Sequence, residues 1–344
     1  MQIDRKTGET ALMNETEKND IRQYEKDLLE RVLSSILQKG GDCLLSSIVL
    51  TGSFGRSEPT YTVREDGSFQ LKSDVEIALI FTHTFQKKKV EKLIGAVSAE
   101  FEEDLNLMAI SEQRVRKACN FNMSFVEPRK KTVFTFDLFN GSKTIWGQEL
   151  LQLKAISAFD VDPYEGKRLI ANRIGELVYL QGNHKTNAGS RELRMQWKGK
   201  VMLAIASAWL IITGEYVSPY REQYEKIKRS SRDVNNVLGS AFFAEYEKTF
   251  LFLRCNGQPY EVCDNNLYSF VKRMDEHLSS RGINKPRINT VSRRVKYIIK
   301  YLKAGMPYGL RNFEEIILQK LIDSFYLQSK DLNDIAQIWH HVLY

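Results

Sequence analysis

Strand patterns and helix patterns occupy different parts of this 344-residue chain. Short apolar runs with the two-residue alternation of strands occur before residue 140, and the clearest is DVEIALIF at residues 74–81. From Glu165 onward, apolar residues recur at the three- and four-residue spacing of helices, and strand patterns nearly vanish. The sequence therefore predicts an α+β protein with two domains. A mixed sheet with helices occupies residues 1–160, and an all-helical bundle occupies residues 161–344.

The predicted elements are bounded by glycine, proline and capping signals. In the first domain they are a helix over 20–38, a strand ending at Leu50, an inserted hairpin over 61–71 with Asp66-Gly67 at its turn, a strand over 74–81, a helix over 87–103 and a strand over 132–139. In the second domain they are helices over 165–182, 190–213, 219–229, 240–254, 265–280, 291–304, 312–328 and 331–343.

Charge is distributed unevenly between the two halves. The formal net charge is +7, but residues 1–164 carry 22 basic and 25 acidic groups, whereas residues 165–344 carry 28 and 18. Seven basic residues and no acid occupy residues 285–303. That segment is interpreted as an amphipathic helix with a charged, solvated face, and contact with a nucleic acid or another polyanion is the functional alternative.

Several protein classes are excluded by composition. No apolar run reaches the roughly 18 to 20 residues of a membrane span, and the first twenty residues lack the pattern of a secretory signal. The four cysteines include no C-x-x-C pair, so neither a zinc knuckle nor a disulfide framework is indicated. We expect a cytoplasmic protein without a membrane partner; the sequence indicates no oligomeric state.

Three acidic residues are candidate metal ligands. Asp74 and Glu76 are two residues apart in a predicted strand, so their side chains project from the same face. Two adjacent carboxylates are costly at neutral pH unless a cation lies between them. Asp137 interrupts the apolar strand predicted over 132–139, and it reaches the same point if that strand pairs beside the first. The structural alternatives are a solvated strand face for Asp74 and Glu76 and a buried ion pair for Asp137.

A candidate phosphate-binding turn precedes these acids. The segment GSFGRSE at residues 52–58 follows a predicted strand and supplies a glycine at Gly52, a hydroxyl at Ser53 and a cation at Arg56. It lacks the lysine of a Walker loop and the third glycine of a dinucleotide-binding motif. Arg56 is interpreted either as a phosphate ligand or as a solvated loop cation.

Taken together, a Gly-Ser pair at a strand end, Asp-x-Glu in the next strand and a later aspartate resemble the nucleotidyltransferase superfamily of DNA polymerase β and kanamycin nucleotidyltransferase. The resemblance covers about the first 150 residues. SDVEIALIF at residues 73–81 and FDLFNGSKTIWG at residues 136–147 resemble the bacterial small-molecule and glycan-linked branches, with a helical C-terminal domain, more than the polymerases. It implies that Gly52 and Ser53 hold a nucleoside triphosphate. The resemblance also implies that Asp74, Glu76 and Asp137 bind two metal ions, either Mg²⁺ or Mn²⁺.

The sequence departs from the family pattern at two points. The gap between the Gly-Ser pair and Asp74 is longer than usual, which the inserted hairpin explains, and Glu76 stands where aspartate is commoner. The expected activity is transfer of a nucleoside monophosphate from a triphosphate to the hydroxyl of a small molecule or glycan, with release of pyrophosphate. The alternatives are transfer to a nucleic-acid end or a protein hydroxyl, and a catalytically silent nucleotide-binding module.

Overall fold

The α+β class is confirmed by the computed structural model. The structure describes residues 15–63, 69–120, 131–153, 156–183, 189–255 and 258–283, together with Leu321, Ile322 and Phe325. These residues form a four-stranded mixed sheet, a two-stranded hairpin and a series of helices. Contacts divide the chain into two compact units, the first taking in most of the chain up to Ile156 and the second most of the chain from Ser157. The predicted domains, residues 1–160 and 161–344, stay a prediction.

The first unit contains all the described strands. Its elements, in chain order, are α1 (Glu15–Ile36), α2 (Asp42–Leu44), β1 (Leu45–Leu50), α3 (Gly52–Gly55), β2 (Tyr61–Val63), β3 (Phe69–Leu71), β4 (Val75–Phe81), α4 (Lys87–Ser98), β5 (Leu105–Ser111), α5 (Glu112–Asn120), α6 (Val133–Asn140) and β6 (Lys143–Gly147). The predictions of the opening helix, the strand ending at Leu50, the strand at 74–81 and the hairpin are confirmed. The turn Asp66-Gly67 lies outside the described residues.

The main sheet has the strand order β5-β4-β1-β6. β1 runs antiparallel to β4 and to β6, whereas β4 and β5 are parallel and are joined by the crossover helix α4. Alternate residues of β4 pack into one hydrophobic cluster with the buried face of α1, where Leu28 and Val32 lie. Because Ala78 and Ile80 of β4 are also fully buried, this strand is covered on both faces.

The strand predicted over 132–139 is wrong, because these residues form the helix α6. Apolar residues occupy every side of this short segment, so its periodicity cannot distinguish a strand from a buried helix. Five of its residues are buried, and the amide of Gly141 closes the helix by donating to the carbonyl oxygen of Asp137 at 2.8 Å. Tertiary burial therefore overrides the β propensity of its aromatic and β-branched residues.

Two strands of the main sheet are absent from the sequence prediction. The helix predicted over 87–103 ends at Ser98, and β5 begins at Leu105. In β5 only Leu107 and Ile110 are buried, and this spacing of three conceals the two-residue period of a strand. β6, at one edge of the sheet, was not predicted either.

The second unit is helical where it is described. Its helices are α7 (Tyr164–Asn183), α8 (Gly189–Thr213), α9 (Tyr220–Arg229), α10 (Ser231–Leu238), α11 (Phe242–Arg254) and α12 (Asp264–Ser280). The first five predicted helices of this domain are confirmed, and α10 was missed. The predicted helices over 291–304 and 331–343, and the basic segment 285–303, lie outside the described residues; of the predicted helix over 312–328, only Leu321, Ile322 and Phe325 are described, and they are helical. Within the described ranges, no helix combines the length and apolarity of a bilayer-spanning segment.

A buried ion pair joins two helices of the second unit. The Nζ atom of Lys167 in α7 lies 2.9 Å from Oδ1 of Asp275 in α12, and the lysine side chain is only 2% exposed. A buried ammonium group that loses its carboxylate keeps its desolvation penalty without compensation.

Replacing Asp275 should therefore destabilise the protein strongly. We expect Asp275→Ala to lower the free energy of unfolding by about 3–5 kcal/mol in urea denaturation. The matched control is Lys272→Ala in the same helix, because Lys272 is exposed and lies 4.0 Å from Glu276; it should change stability by less than about 0.5 kcal/mol. Equal effects of the two substitutions would contradict this role for the ion pair.

His277 of α12 stacks on Trp209 of α8, with ring centroids 5.6 Å apart. Burial lowers the pKa of His277, and the positive charge of Arg281 lowers it further. The folded protein consequently resists protonation of this imidazole, whereas the unfolded chain binds the proton with an ordinary pKa near 6.5.

The free energy of unfolding should accordingly fall as the pH drops through about 6.5, since protonation favours the unfolded chain. The measurement is urea denaturation of the wild type and of His277→Gln across pH 7.5 to 5. The difference between the two free energies of unfolding removes the contributions of the other histidines. As the pH falls, the wild type should lose more stability than the variant. Parallel pH profiles would contradict the prediction.

Candidate functional site

The candidate phosphate turn is a single, well-defined helical turn. β1 ends at Leu50, and α3 follows after one extended residue, Thr51. The amide of Gly55 donates to the carbonyl oxygen of Thr51 at 2.9 Å, and the amide of Glu58 donates to that of Ser53 at 2.8 Å. These bonds hold the GSFGRSE backbone in one conformation between β1 and the hairpin.

Gly52 lies directly beside the carboxylate of Glu76. The amide of Thr51 donates to the carbonyl oxygen of Glu76 at 2.8 Å, which brings the start of the turn next to β4. Gly52 has a φ of +60°, and a Cβ atom placed on it would come within 2.6 Å of the Glu76 carboxylate. Both the backbone conformation and the available space therefore require glycine at this position.

The hydroxyl of Ser53 is buried and has no hydrogen-bond partner among the described residues. The residue is only 7% exposed. A buried hydroxyl without a partner costs about 1–3 kcal/mol, so an oxygen of a ligand or of water at this point would be stabilised. This atom gives the turn a polar group suited to a phosphate oxygen.

Arg56 is held within the turn by an acid. Its side chain is 11% exposed, and its Nε atom lies 3.7 Å from Oε2 of Glu58. The ion pair offsets part of the positive charge that a phosphate would meet. Phosphate contact by Arg56 stays a prediction.

Asp74 and Glu76 lie at the start of β4, at the edge of the sheet where the turn begins. Asp74 directly precedes the strand, Glu76 is its second residue, and both are half-buried. β5 runs parallel beside them: the amide of Val75 donates to the carbonyl oxygen of Asp104 at 2.9 Å, and Glu76 is in register with Asn106. The structure thus brings the backbone of Asp104, an exposed acid that sequence reasoning missed, next to this pair. The signal for it was an acid immediately before the apolar run LNLMAI.

Asp137 lies on a different kind of element from the one predicted. The neighbours of β4 are β1 and β5, so the expectation that a strand carrying Asp137 pairs beside β4 is wrong. Asp137 instead lies on α6, one helical turn before Gly141. A Cβ atom on Gly55 would come within 2.6 Å of the carbonyl oxygen of Gly141, so the loop after α6 packs against the turn. Its role as a metal ligand stays a prediction.

The residue types around the turn fit a hard divalent cation. Asp74, Glu76 and Asp104 supply only oxygen ligands, as Mg²⁺ and Mn²⁺ prefer. Among the residues that the structure describes, no three acidic, histidine or cysteine side chains are grouped closely enough to hold a metal ion. The fit is therefore one of ligand chemistry and backbone placement.

A lysine that sequence reasoning missed also contacts the turn region. Lys143, the first residue of β6, is in register with Leu50 of β1. Its Nζ atom donates to the hydroxyl of Ser57 at 2.5 Å, and the side chain is exposed. No motif marks this lysine in the sequence, since 86 residues separate it from Ser57.

The close approach of Gly52 and Glu76 has a measurable consequence. We expect Gly52→Ala to lower the free energy of unfolding by more than the roughly 1–2 kcal/mol that left-handed backbone strain costs, because the new Cβ also meets the carboxylate. Gly40→Ala isolates the strain, since Gly40 has a φ of +87° and open space around it. Gly95→Ala, in open space within α4, should stabilise the protein by about 0.5–1 kcal/mol.

Gly52→Ala in a Glu76→Ala background tests whether the carboxylate causes the additional loss of stability. Removing the carboxylate should reduce the cost of Gly52→Ala to that of Gly40→Ala, as a double-mutant cycle in urea would show. An unchanged cost would mean that the two residues are not in contact.

The resemblance to the nucleotidyltransferase superfamily depends on Gly52 and Ser53, on Asp74 and Glu76, and on Asp137, and it stays a prediction. Protein-family models, curated proteins and solved structures were compared with the chain, and none of them matches. The chemistry and geometry of these residues carry the functional argument.

Proposed function

We propose that the protein is a metal-dependent nucleotidyltransferase. It moves a nucleoside monophosphate from a triphosphate to a hydroxyl group on a small molecule or glycan and releases pyrophosphate. The observation that carries the proposal is the contact between Gly52 and Glu76, because it sets a turn with an unsatisfied serine hydroxyl directly against a strand that begins with two acids.

The turn is suited to holding the phosphates. Its backbone is fixed by hydrogen bonds, and the Ser53 hydroxyl offers a buried donor for a phosphate oxygen. Gly52 lets the Glu76 carboxylate approach the backbone of the turn, so that a metal bound by this carboxylate would lie next to the phosphates. The contribution of the turn is to fix the position of the triphosphate before reaction.

Asp74 and Glu76 are the residues that would hold a divalent metal together with the phosphates of the substrate, and Asp104, whose backbone lies beside them, is the candidate for a third ligand. Asp104 takes the place of the third acid in this proposal because β5 is the strand beside β4, whereas Asp137 lies on a helix. A bound Mg²⁺ or Mn²⁺ would neutralise phosphate charge and lower the pKa of an attacking hydroxyl. The carboxylates of Asp74 and Glu76 would hold the metal at the start of β4, next to the turn.

Removing a single carboxylate should abolish most of the transfer activity. We expect Asp74→Asn, Glu76→Gln and Asp104→Asn each to lower kcat about a hundredfold or more, which corresponds to a loss of several kcal/mol of transition-state stabilisation. The measurement is pyrophosphate release from each of the four nucleoside triphosphates with Mg²⁺, with and without added sugar and aminoglycoside acceptors. Circular dichroism should show that each variant keeps the fold.

Asp137→Asn provides the discriminating variant. If Asp104 is the third ligand, Asp104→Asn should lose far more activity than Asp137→Asn; the reverse order would return the role to Asp137. Triphosphate binding without any pyrophosphate release would instead indicate a silent nucleotide-binding module. Full activity of Asp74→Asn would overturn the proposal.

A further inference from the structure

Lys143 is a surface cation that lacks an acidic partner in the described part of the chain. The one hydrogen bond of its ammonium group there is the bond to the Ser57 hydroxyl, and no described carboxylate lies within 4.0 Å of it. Arg56, by comparison, has Glu58 beside it. An ammonium group has three donors, so the bond to Ser57 leaves two for another acceptor.

The charge of Lys143 acts on Glu25 of α1, and this acid is hydrogen-bonded to another residue. Glu25 accepts a hydrogen bond from the hydroxyl of Tyr61 at 2.9 Å. Burial raises the pKa of Glu25, against the opposing effects of the Tyr61 bond and of the positive charges of Arg22 and Lys143.

The backbone ties Lys143 firmly to the turn. Its strand β6 pairs with β1, and Lys143 lies opposite Leu50. Leu50 precedes Gly52 by two residues. The preceding residues also meet the turn, because Gly141 contacts Gly55. Ser57, which holds the ammonium group, has a φ of +60°, the one positive value among the described non-glycine residues. Both the backbone and the ammonium group of Lys143 are thus held close to the turn.

We propose that Lys143 binds the triphosphate of a nucleotide held at the Gly52–Ser53 turn, and that Ser57 positions its ammonium group for this contact. The inference rests on the proposed function and names the cation of that site. An exposed ammonium group is a compact charge that suits a flexible polyphosphate chain, whereas Arg56 is largely buried and paired. Lys143 is accordingly the cation that the phosphates meet.

The test is isothermal titration of the full chain with ATP, GTP, CTP and UTP, and with inorganic tripolyphosphate, each with Mg²⁺. We expect Lys143→Met to raise the Kd of the bound triphosphate at least tenfold, Lys143→Arg to raise it less than threefold, and Ser57→Ala to have an intermediate effect. The matched control is Lys87→Met, because Lys87 is exposed and paired with Glu91 at 3.5 Å; its Kd should equal that of the wild type. Lys143→Gln replaces the methionine variant if the latter does not fold.

The ligand series separates a phosphate contact from a general disturbance. The affinity for tripolyphosphate should fall by the same factor as the affinity for the nucleotide, while binding of the corresponding nucleoside should not change. Equal Kd values for Lys143→Met and Lys87→Met, or an equal loss of nucleoside binding, would overturn the assignment of Lys143. Absence of triphosphate binding by the wild type would instead overturn the proposed function itself.

Discussion

The candidate site depends on the antiparallel pairing of β1 with β4. At the end of this pair, the Thr51 amide donates to the carbonyl oxygen of Glu76, and the chain then turns away through Gly52. A shift of one residue in this register would move Glu76 to the other face of β4 and remove the contact with Gly52. The buried alternation of β4 against α1 stabilises the register, so the hydrophobic core fixes the geometry of the polar turn.

Charged residues of both signs lie on the elements that surround the turn in the first unit. Asp74, Glu76 and Asp104 lie at the starts of two parallel neighbours, while Lys143 arrives on β6 from the opposite side of β1 in the strand order. This arrangement places acids on one side of β1 and a cation on the other. A polyphosphate with a divalent metal needs both, since the metal requires carboxylates and the phosphates require positive charge.

The comparison of sequence and structure is most informative at α6. The residues around Asp137 carry aromatic and β-branched side chains, and their pattern fits a strand as well as a buried helix. The strand that in fact lies beside β4 is β5, whose half-exposed residues hide its period. Local pattern was sufficient for β1, β4 and the hairpin because each has clear alternation or a strong turn signal, and it was insufficient for β5 and β6.

The sequence by itself determined the α+β class, the turn after β1, the acidic start of β4 and five of the helices that follow, because these depend on periods and caps within short segments. Only the tertiary structure decided which residues lie beside β4 and the turn: the backbone of Asp104 bonds to Val75 through the pairing of β5 with β4, and Lys143 reaches Ser57 through the pairing of β6 with β1. The physical reason is that strand pairing between residues far apart in the chain depends on crossover, register and shared burial, none of which is encoded in a local period.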